Sequence, residues 1–167
     1  MKKQIMASLM VVSVLLFGCG IYSQSGASIP PEAKTFSVEN IINNAPVVAP
    51  TLTQVITERL KTKFINETPL KLTTQEGDFH FSGKIIAYTV APVAVQGNQT
   101  TSVNRLTITL QIEFDNKFDK EKSFKETFSN FADFDASANF ATVENDLINR
   151  ITDGLVQQVF NKAFINW

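Results

Sequence analysis

Little in this chain is equipped for chemistry. Its 167 residues include one cysteine and one histidine. A single cysteine excludes an intrachain disulfide, and a single histidine, His80, excludes a histidine cluster around a metal ion. The 7 glycines form no phosphate-cradling loop, since Gly77 and Gly83 bracket a predicted strand. No serine sits in a nucleophile elbow, and Asp133 and Asp135 lie around a loop, where acids are ordinarily just solvated. Charge of one sign is lacking too. Against 15 Lys+Arg stand 16 Asp+Glu, interleaved along the chain, so the clustered basic surface of a nucleic-acid binder is missing. No metal ligand set, catalytic residue or nucleic-acid partner is expected.

What is present begins at the N-terminus. Lys2 and Lys3 precede an uncharged apolar run from Ile5 to Phe17. That run falls short of the about 20 residues a membrane-spanning helix needs and has the length of a signal-peptide core. The cysteine follows directly, in Leu16-Phe17-Gly18-Cys19. A small residue before cysteine and an aliphatic residue three before it form a lipobox, whereas the small-x-small cleavage pattern of soluble secreted proteins is absent. The alternative is an uncleaved anchor helix with an incidental cysteine. The lipobox reading makes residues 1–18 a lipoprotein signal peptide and Cys19 the lipidation site, with a covalent diacylglyceryl and an N-acyl lipid as the only added groups. Two or more acyl chains give lasting membrane attachment, which one does not. Residues 19–34, rich in Gly, Ser and Pro, read as a lipidated tether. By analogy with sorting rules, Gly20 and the absence of acids before Glu32 direct the protein to the periplasmic side of the outer membrane.

Residues 35–167 are expected to form a single domain. Without Lys2 and Lys3 the chain carries 13 Lys+Arg against 16 Asp+Glu, a formal charge of −3. Phe36, Val38 and Ile42 fall on one face of an extended segment, a first strand over 35–42. Asn43-Asn44-Ala45-Pro46 signals a turn, and Leu52, Val55, Ile56, Leu60 and Phe64 recur at helical spacing until Pro69. A second strand, 78–88, places Phe79, Phe81, Ile85 and Ala87 on one face and His80, Ser82 and Lys84 on the other, before Pro92 and Gly97-Asn98 break it. Over 105–115, Leu106, Ile108, Leu110, Ile112 and Phe114 alternate with polar residues, the pattern of a sheet covered on one side. Residues 122–134 fit a helix by the spacing of Phe124, Phe128, Phe131 and Phe134, or a strand with a bulge near Asn130; the strand is preferred. A long helix from about Val143 to Asn166 is capped by Thr142, with Glu144 and Asp146 in its first turn. Gly154, costly inside a helix, implies close packing against the sheet. The expected fold is an α+β two-layer sandwich, β-α-β-β-β-α, with two helices on one face of a four-stranded, mostly antiparallel sheet. Most of the 14 phenylalanines fall on faces already assigned to the core, which favours a core role over a ligand pocket. Lys117, Lys120, Lys122 and Lys125 alternate with acids in a solvated hairpin. The sequons at Asn66 and Asn98 carry no meaning in a bacterial lipoprotein.

Several runs resemble a known family. Cys19-Gly20-Ile21-Tyr22-Ser23, Ser25-Gly26-Ala27-Ser28-Ile29-Pro30, Pro50-Thr51-Leu52-Thr53-Gln54, Asn104-Arg105-Leu106-Thr107-Ile108 and the terminal Phe160-Asn161-Lys162-Ala163-Phe164-Ile165-Asn166-Trp167 are similar to LPS-assembly lipoproteins of the LptE family, in their Bacteroidetes form. Gln24 stands where that pattern has an aromatic, and Ile41-Ile42 where it has an aromatic pair. The resemblance implies a non-enzymatic subunit that assembles with the outer-membrane β-barrel LptD, sits partly within its lumen and plugs it during lipopolysaccharide delivery to the outer leaflet. Thr107, Thr109, Gln111 and Glu113 are then candidates to face a partner. Arg105 is a candidate for a lipopolysaccharide phosphate or partner contact, or for a structural ion pair, the latter favoured. The alternative is a free-standing periplasmic lipoprotein that binds another envelope component.

Overall fold

The computed structural model describes residues 29–47, 49–93 and 102–165. The signal segment, Cys19, the tether up to residue 28, the Gly97-Asn98 turn and the terminal Trp167 lie outside the described residues. Six strands and two long helices follow one another as β1 (Thr35–Val38), β2 (Ile42–Asn43), α1 (Leu52–Glu67), β3 (Lys71–Leu72), β4 (Phe79–Val93), β5 (Val103–Asn116), β6 (Phe124–Asp135) and α2 (Phe140–Phe164), with a 3-10 turn at Lys120–Lys122. The sheet order is β3-β1-β4-β5-β6, and β2 pairs with β4 beyond the end of β1. β4, β5 and β6 form an antiparallel meander. β1 lies parallel to β3 and β4, and β2 parallel to β4.

The α+β class and the pair of helices stand, but the sheet is mixed and larger than four strands. β2 and β3 are two residues each, too short to leave a periodic trace in sequence. The predicted first strand divides because Ile41, not Ile42, turns inward: Ile41 is buried and Ile42 is 60% exposed. The cause is Thr57 of α1, whose buried hydroxyl donates to the Thr53 carbonyl at 2.7 Å and accepts the Ile41 N–H at 3.0 Å. Asn43 then closes the turn, its Oδ1 accepting the Ala45 N–H at 2.9 Å, as asparagine commonly does. Residues 29–34 pack onto the domain: Ala33 is buried, and the Lys34 and Thr35 amides donate to Asp78 Oδ2 at 2.9 and 3.0 Å. These bonds, from the Lys34 amide first, hold the Asp78 carboxyl below the ordinary carboxylate range.

β5 matches its alternation, with Leu106, Ile108, Leu110 and Ile112 fully buried. In β4, Phe79, Phe81 and Ile85 point to the core, but the register shifts between Ile85 and Ala87. Beyond that bulge Tyr88, rather than Ala87, faces the helices. Its hydroxyl donates to Glu144 Oε1 at 2.5 Å, and burial together with that carboxylate raises the phenol's pKa. Pro92 does not end the strand, because among the described residues β4 beyond Ile85 has no neighbour on its second side; a proline costs no ladder bond at an edge.

Residues 124–135 form a strand, without the bulge expected near Asn130, and the β5–β6 register is continuous. Phe128 and Phe134 face the core and Phe124 is partly buried there, while Phe131 lies on the opposite face, 50% exposed. α2 begins at Phe140, three residues before the predicted start. Asn139 caps it by accepting the Ala141 N–H at 3.1 Å, while Thr142 donates back to the Asn139 carbonyl. Glu144 and Asp146 therefore fall outside the first turn.

A cluster of phenylalanines sits at the centre of the core. Phe64 of α1 meets Phe36, Phe81, Phe160 and Phe164 at ring-centroid distances of 4.6 to 6.3 Å, and Phe81 stacks on Phe114 at 4.7 Å. The outer helix surfaces are polar: Arg59 pairs with Asp153 and donates to Asn149. Gly154 packs directly beneath Asn130 of β6, whose Nδ2 donates to the Ile151 carbonyl at 3.0 Å. A Cβ at 154 would displace that amide. Gly154→Ala is therefore expected to lose in the hydrogen bond about the 1 kcal/mol that alanine gains in helix propensity. In an Asn130→Ala background the same substitution should stabilise by about 1 kcal/mol. Chemical denaturation of the four proteins measures that coupling.

Candidate functional site

One face of the sheet is covered by α1 and α2, and the other by nothing among the described residues. The strand register arranges this open face in cross-strand rows: Lys84–Gln111–Thr127, Ala87–Thr109–Ser129, Thr89–Thr107–Phe131 and Ala91–Arg105–Asp133. Its centre is a level field of short hydroxyl side chains, with Thr109 and Ser129 hydrogen-bonded at 3.1 Å. Period-two alternation produces this directly, because every inward aliphatic residue of β5 places its polar neighbours outward.

Two charge pairs are matched across strands at the ends of the field, while Lys84 of the first row has no ion pair among the described contacts. Lys125 pairs with Glu113 at 2.7 Å. Arg105 grips Asp133 with both ends of its fork, Nε to Oδ1 at 2.6 Å and Nη2 to Oδ2 at 2.9 Å. Its guanidinium carbon also sits 3.6 Å from the centre of the Phe131 ring, a favourable cation–aromatic stack. The hydrogen-bonded pairing raises the Arg105 pKa and holds the Asp133 carboxyl below the usual range. Arg105 thus forms the ion pair that the sequence reading favoured. Of the other two members, that reading grouped Phe131 with Phe124, Phe128 and Phe134 by spacing and placed Asp133 around a loop. The signal that could have found them is register, since strands 105–115 and 124–135 joined by a short hairpin bring them opposite Thr107 and Arg105.

A second cluster lies on β1 and β4. His80 Nδ1 is 2.8 Å from Ser37 Oγ, and its Nε2 lies 3.3 Å from Glu39. Ser37 Oγ also accepts the Gly77 N–H at 2.9 Å. Serine, histidine and carboxylate in a row invite a catalytic reading, but Ser37 is buried and its oxygen is occupied at the seam of two parallel strands. The cluster ties β1 to β4. A cleft of about 480 Å³ beside it is lined by Glu39, Asn40, Lys61, Gln75 and His80 among others. Among the described residues no group of three His, Cys, Asp or Glu is placed to hold a metal ion, and no helix is long and apolar enough to cross a membrane.

The model of the LptE lipopolysaccharide-assembly family matches residues 33–163, from the buried Ala33 before β1 to the last turn of α2. This chain belongs to that family. Among curated proteins none matches the chain. Solved structures share the fold of this LptE-family chain. A minor lipoprotein from Acinetobacter baumannii is similar at TM-score 0.51 and 16% identity, covering 78% of this chain and 91% of that one. A hypothetical protein from Chlamydia trachomatis aligns at TM-score 0.53 and 7% identity, over 78% and 98% of the two chains. An uncharacterized lipoprotein from Nitrosomonas europaea aligns at 0.50 and 12%, over 86% and 88%. At these identities the likeness concerns the fold alone. The surface of the open sheet face is this chain's own property.

The Arg105–Asp133 pairing has a direct test. In Arg105→Gln the Asp133 carboxyl should titrate closer to the ordinary carboxylate range than in the parent, as read by carboxyl-carbon NMR. An unchanged Asp133 titration would mean that the pair does not form in solution.

Proposed function

We propose that this chain is an outer-membrane lipoprotein of the lipopolysaccharide export machine, anchored through acylated Cys19, that assembles with an LptD-type β-barrel and occupies part of its lumen. The observation that carries this reading is the open sheet face of an LptE-family domain. Its centre is threonine, serine and glutamine, and two of its charge pairs, Arg105–Asp133 and Lys125–Glu113, are already made across strands. The interior of a large outer-membrane barrel is polar and water-filled. A flat hydroxyl surface can exchange its water for such a wall with little desolvation cost, whereas unpaired charges would have to be stripped. The same surface supports a holding role rather than a catalytic one. Among the described residues the one serine–histidine contact lies at the β1–β4 seam, where Ser37 is buried and its oxygen already accepts the Gly77 N–H. Lipopolysaccharide is the cargo of the assembled machine. Arg105, at the rim of the field beside Phe131, is the residue proposed to lie nearest a phosphate or a barrel side chain when the complex forms.

Two experiments test this reading. Copurification from the native membrane in mild detergent should recover a β-barrel of much larger mass in equal proportion. Thr107→Arg, which sets a bulky charge in the middle of the hydroxyl field, should sharply reduce that recovery without altering the melting temperature of the isolated protein. A chain that runs alone at native abundance would refute the plug role. Cys19→Ala should abolish incorporation of labelled palmitate, and inhibition of the lipoprotein signal peptidase should accumulate the precursor. Continued labelling of the variant would refute the anchor site.

A further inference from the structure

β6 is the last strand of the sheet, twelve residues long, and among the described residues nothing pairs with its outer side. The direction of its backbone groups follows from one bond. The Ala136 N–H donates to the Ser102 carbonyl at 3.0 Å, extending the register in which Val103 opposes Asp135. In an antiparallel ladder, bonded and non-bonded pairs alternate. The even-numbered residues of β6 therefore bond to β5, and the odd-numbered ones, from Lys125 to Asp135, direct N–H and C=O groups outward. The Ser129 carbonyl confirms the phase, since it accepts Gln158 Nε2 of α2 at 3.4 Å. No other odd-numbered backbone group of β6 has a bond from the helix layer among the described contacts.

Proteins usually blunt such an edge with charge. Here the charges do something more specific, because they are divided by sign along the strand. Lys125, which also pairs with Glu113 of its own β5, stands at one end of the outward series, and Asp135, with Asp133 held by Arg105, at the other. A second β6 laid parallel and in register would set lysine on lysine and aspartate on aspartate. Laid antiparallel about Asn130, it sets Lys125 against Asp135 of the second copy, Thr127 against Asp133 and Ser129 against Phe131. All of these are pairs whose backbone groups point at each other. The exposed Phe131 rings of the two copies then lie diagonally across the seam, within reach of one another.

We propose that two copies of this chain, when not engaged with a barrel, join antiparallel through β6 about Asn130 into one continuous sheet. This goes beyond the barrel-plug reading and does not depend on it, since it concerns the strand edge rather than the open face. The full chain in detergent should sediment as a dimer of protein mass at micromolar concentration. Thr127→Pro removes an N–H that β5 does not use, so it should leave the circular dichroism spectrum unchanged and yield a monomer. Lys125→Glu meets Asp135 twice across the symmetric seam and should raise the dimer dissociation constant about tenfold. Adding Asp135→Lys to it should restore association. A parent chain that stays monomeric, a dimer that survives Lys125→Glu, or a failure of the charge exchange to restore it would overturn the proposal. Outward β6 amides that exchange freely alone, and become protected only in the barrel complex, would overturn it as well and assign the edge to a barrel strand.

Discussion

The closure of two helices over a bed of phenylalanine governs the rest of this molecule. Phe64 of α1 touches rings from β1, β4 and α2 at once, so a single side chain locks three layers of sequence together. In well-packed cores, truncating such a ring to alanine costs about 3–5 kcal/mol. Because the apolar area is concentrated on one side of the sheet, the other side has nothing to bury. The bare polar face is the complement of the aromatic core, produced by the same alternation of residues along β4, β5 and β6.

Much of this was legible in the chain itself. The strict alternation from Leu106 to Phe114 located β5 and both of its faces, and the ladder from Leu147 to Val159 located α2. Gly154 correctly announced a close contact with the sheet, and the close approach is to Asn130. What escaped was decided by contacts distant in sequence. Ile41 turns inward because a threonine sixteen residues later accepts its amide. Ala87 loses its place in the core to Tyr88 because β4 bulges. β2 and β3, held only by parallel pairing to their neighbours, carry no local signal. Helical spacing or a bulge near Asn130 would align Phe131 with Phe124, Phe128 and Phe134, yet parity in the unbulged strand puts it outside, where Arg105 covers its ring.

The candidate site was legible as a set of residues rather than as an arrangement. The hydroxyls of Thr107 and Thr109 and the cation of Arg105 were recognisable as outward groups. Their partners on β6 required the register. That register turns scattered polar residues into a surface on which Arg105 meets Asp133 and Lys125 meets Glu113, and such pairing lowers the cost of the burial proposed against a polar wall. A lone lysine or arginine in the middle of the field would carry an uncompensated desolvation cost into any complex. Structure, family and surface chemistry therefore meet in one description: an LptE-family domain whose exposed polar face suits contact with a partner.

The most direct test of that description is thiol accessibility at the centre of the face. In Thr107→Cys, with Cys19 acylated, the introduced thiol should react rapidly with a maleimide in the isolated protein. Within the intact outer-membrane complex it should be almost unreactive. Equal labelling in both states would show that the hydroxyl field faces water in the assembled machine, and would contradict the account.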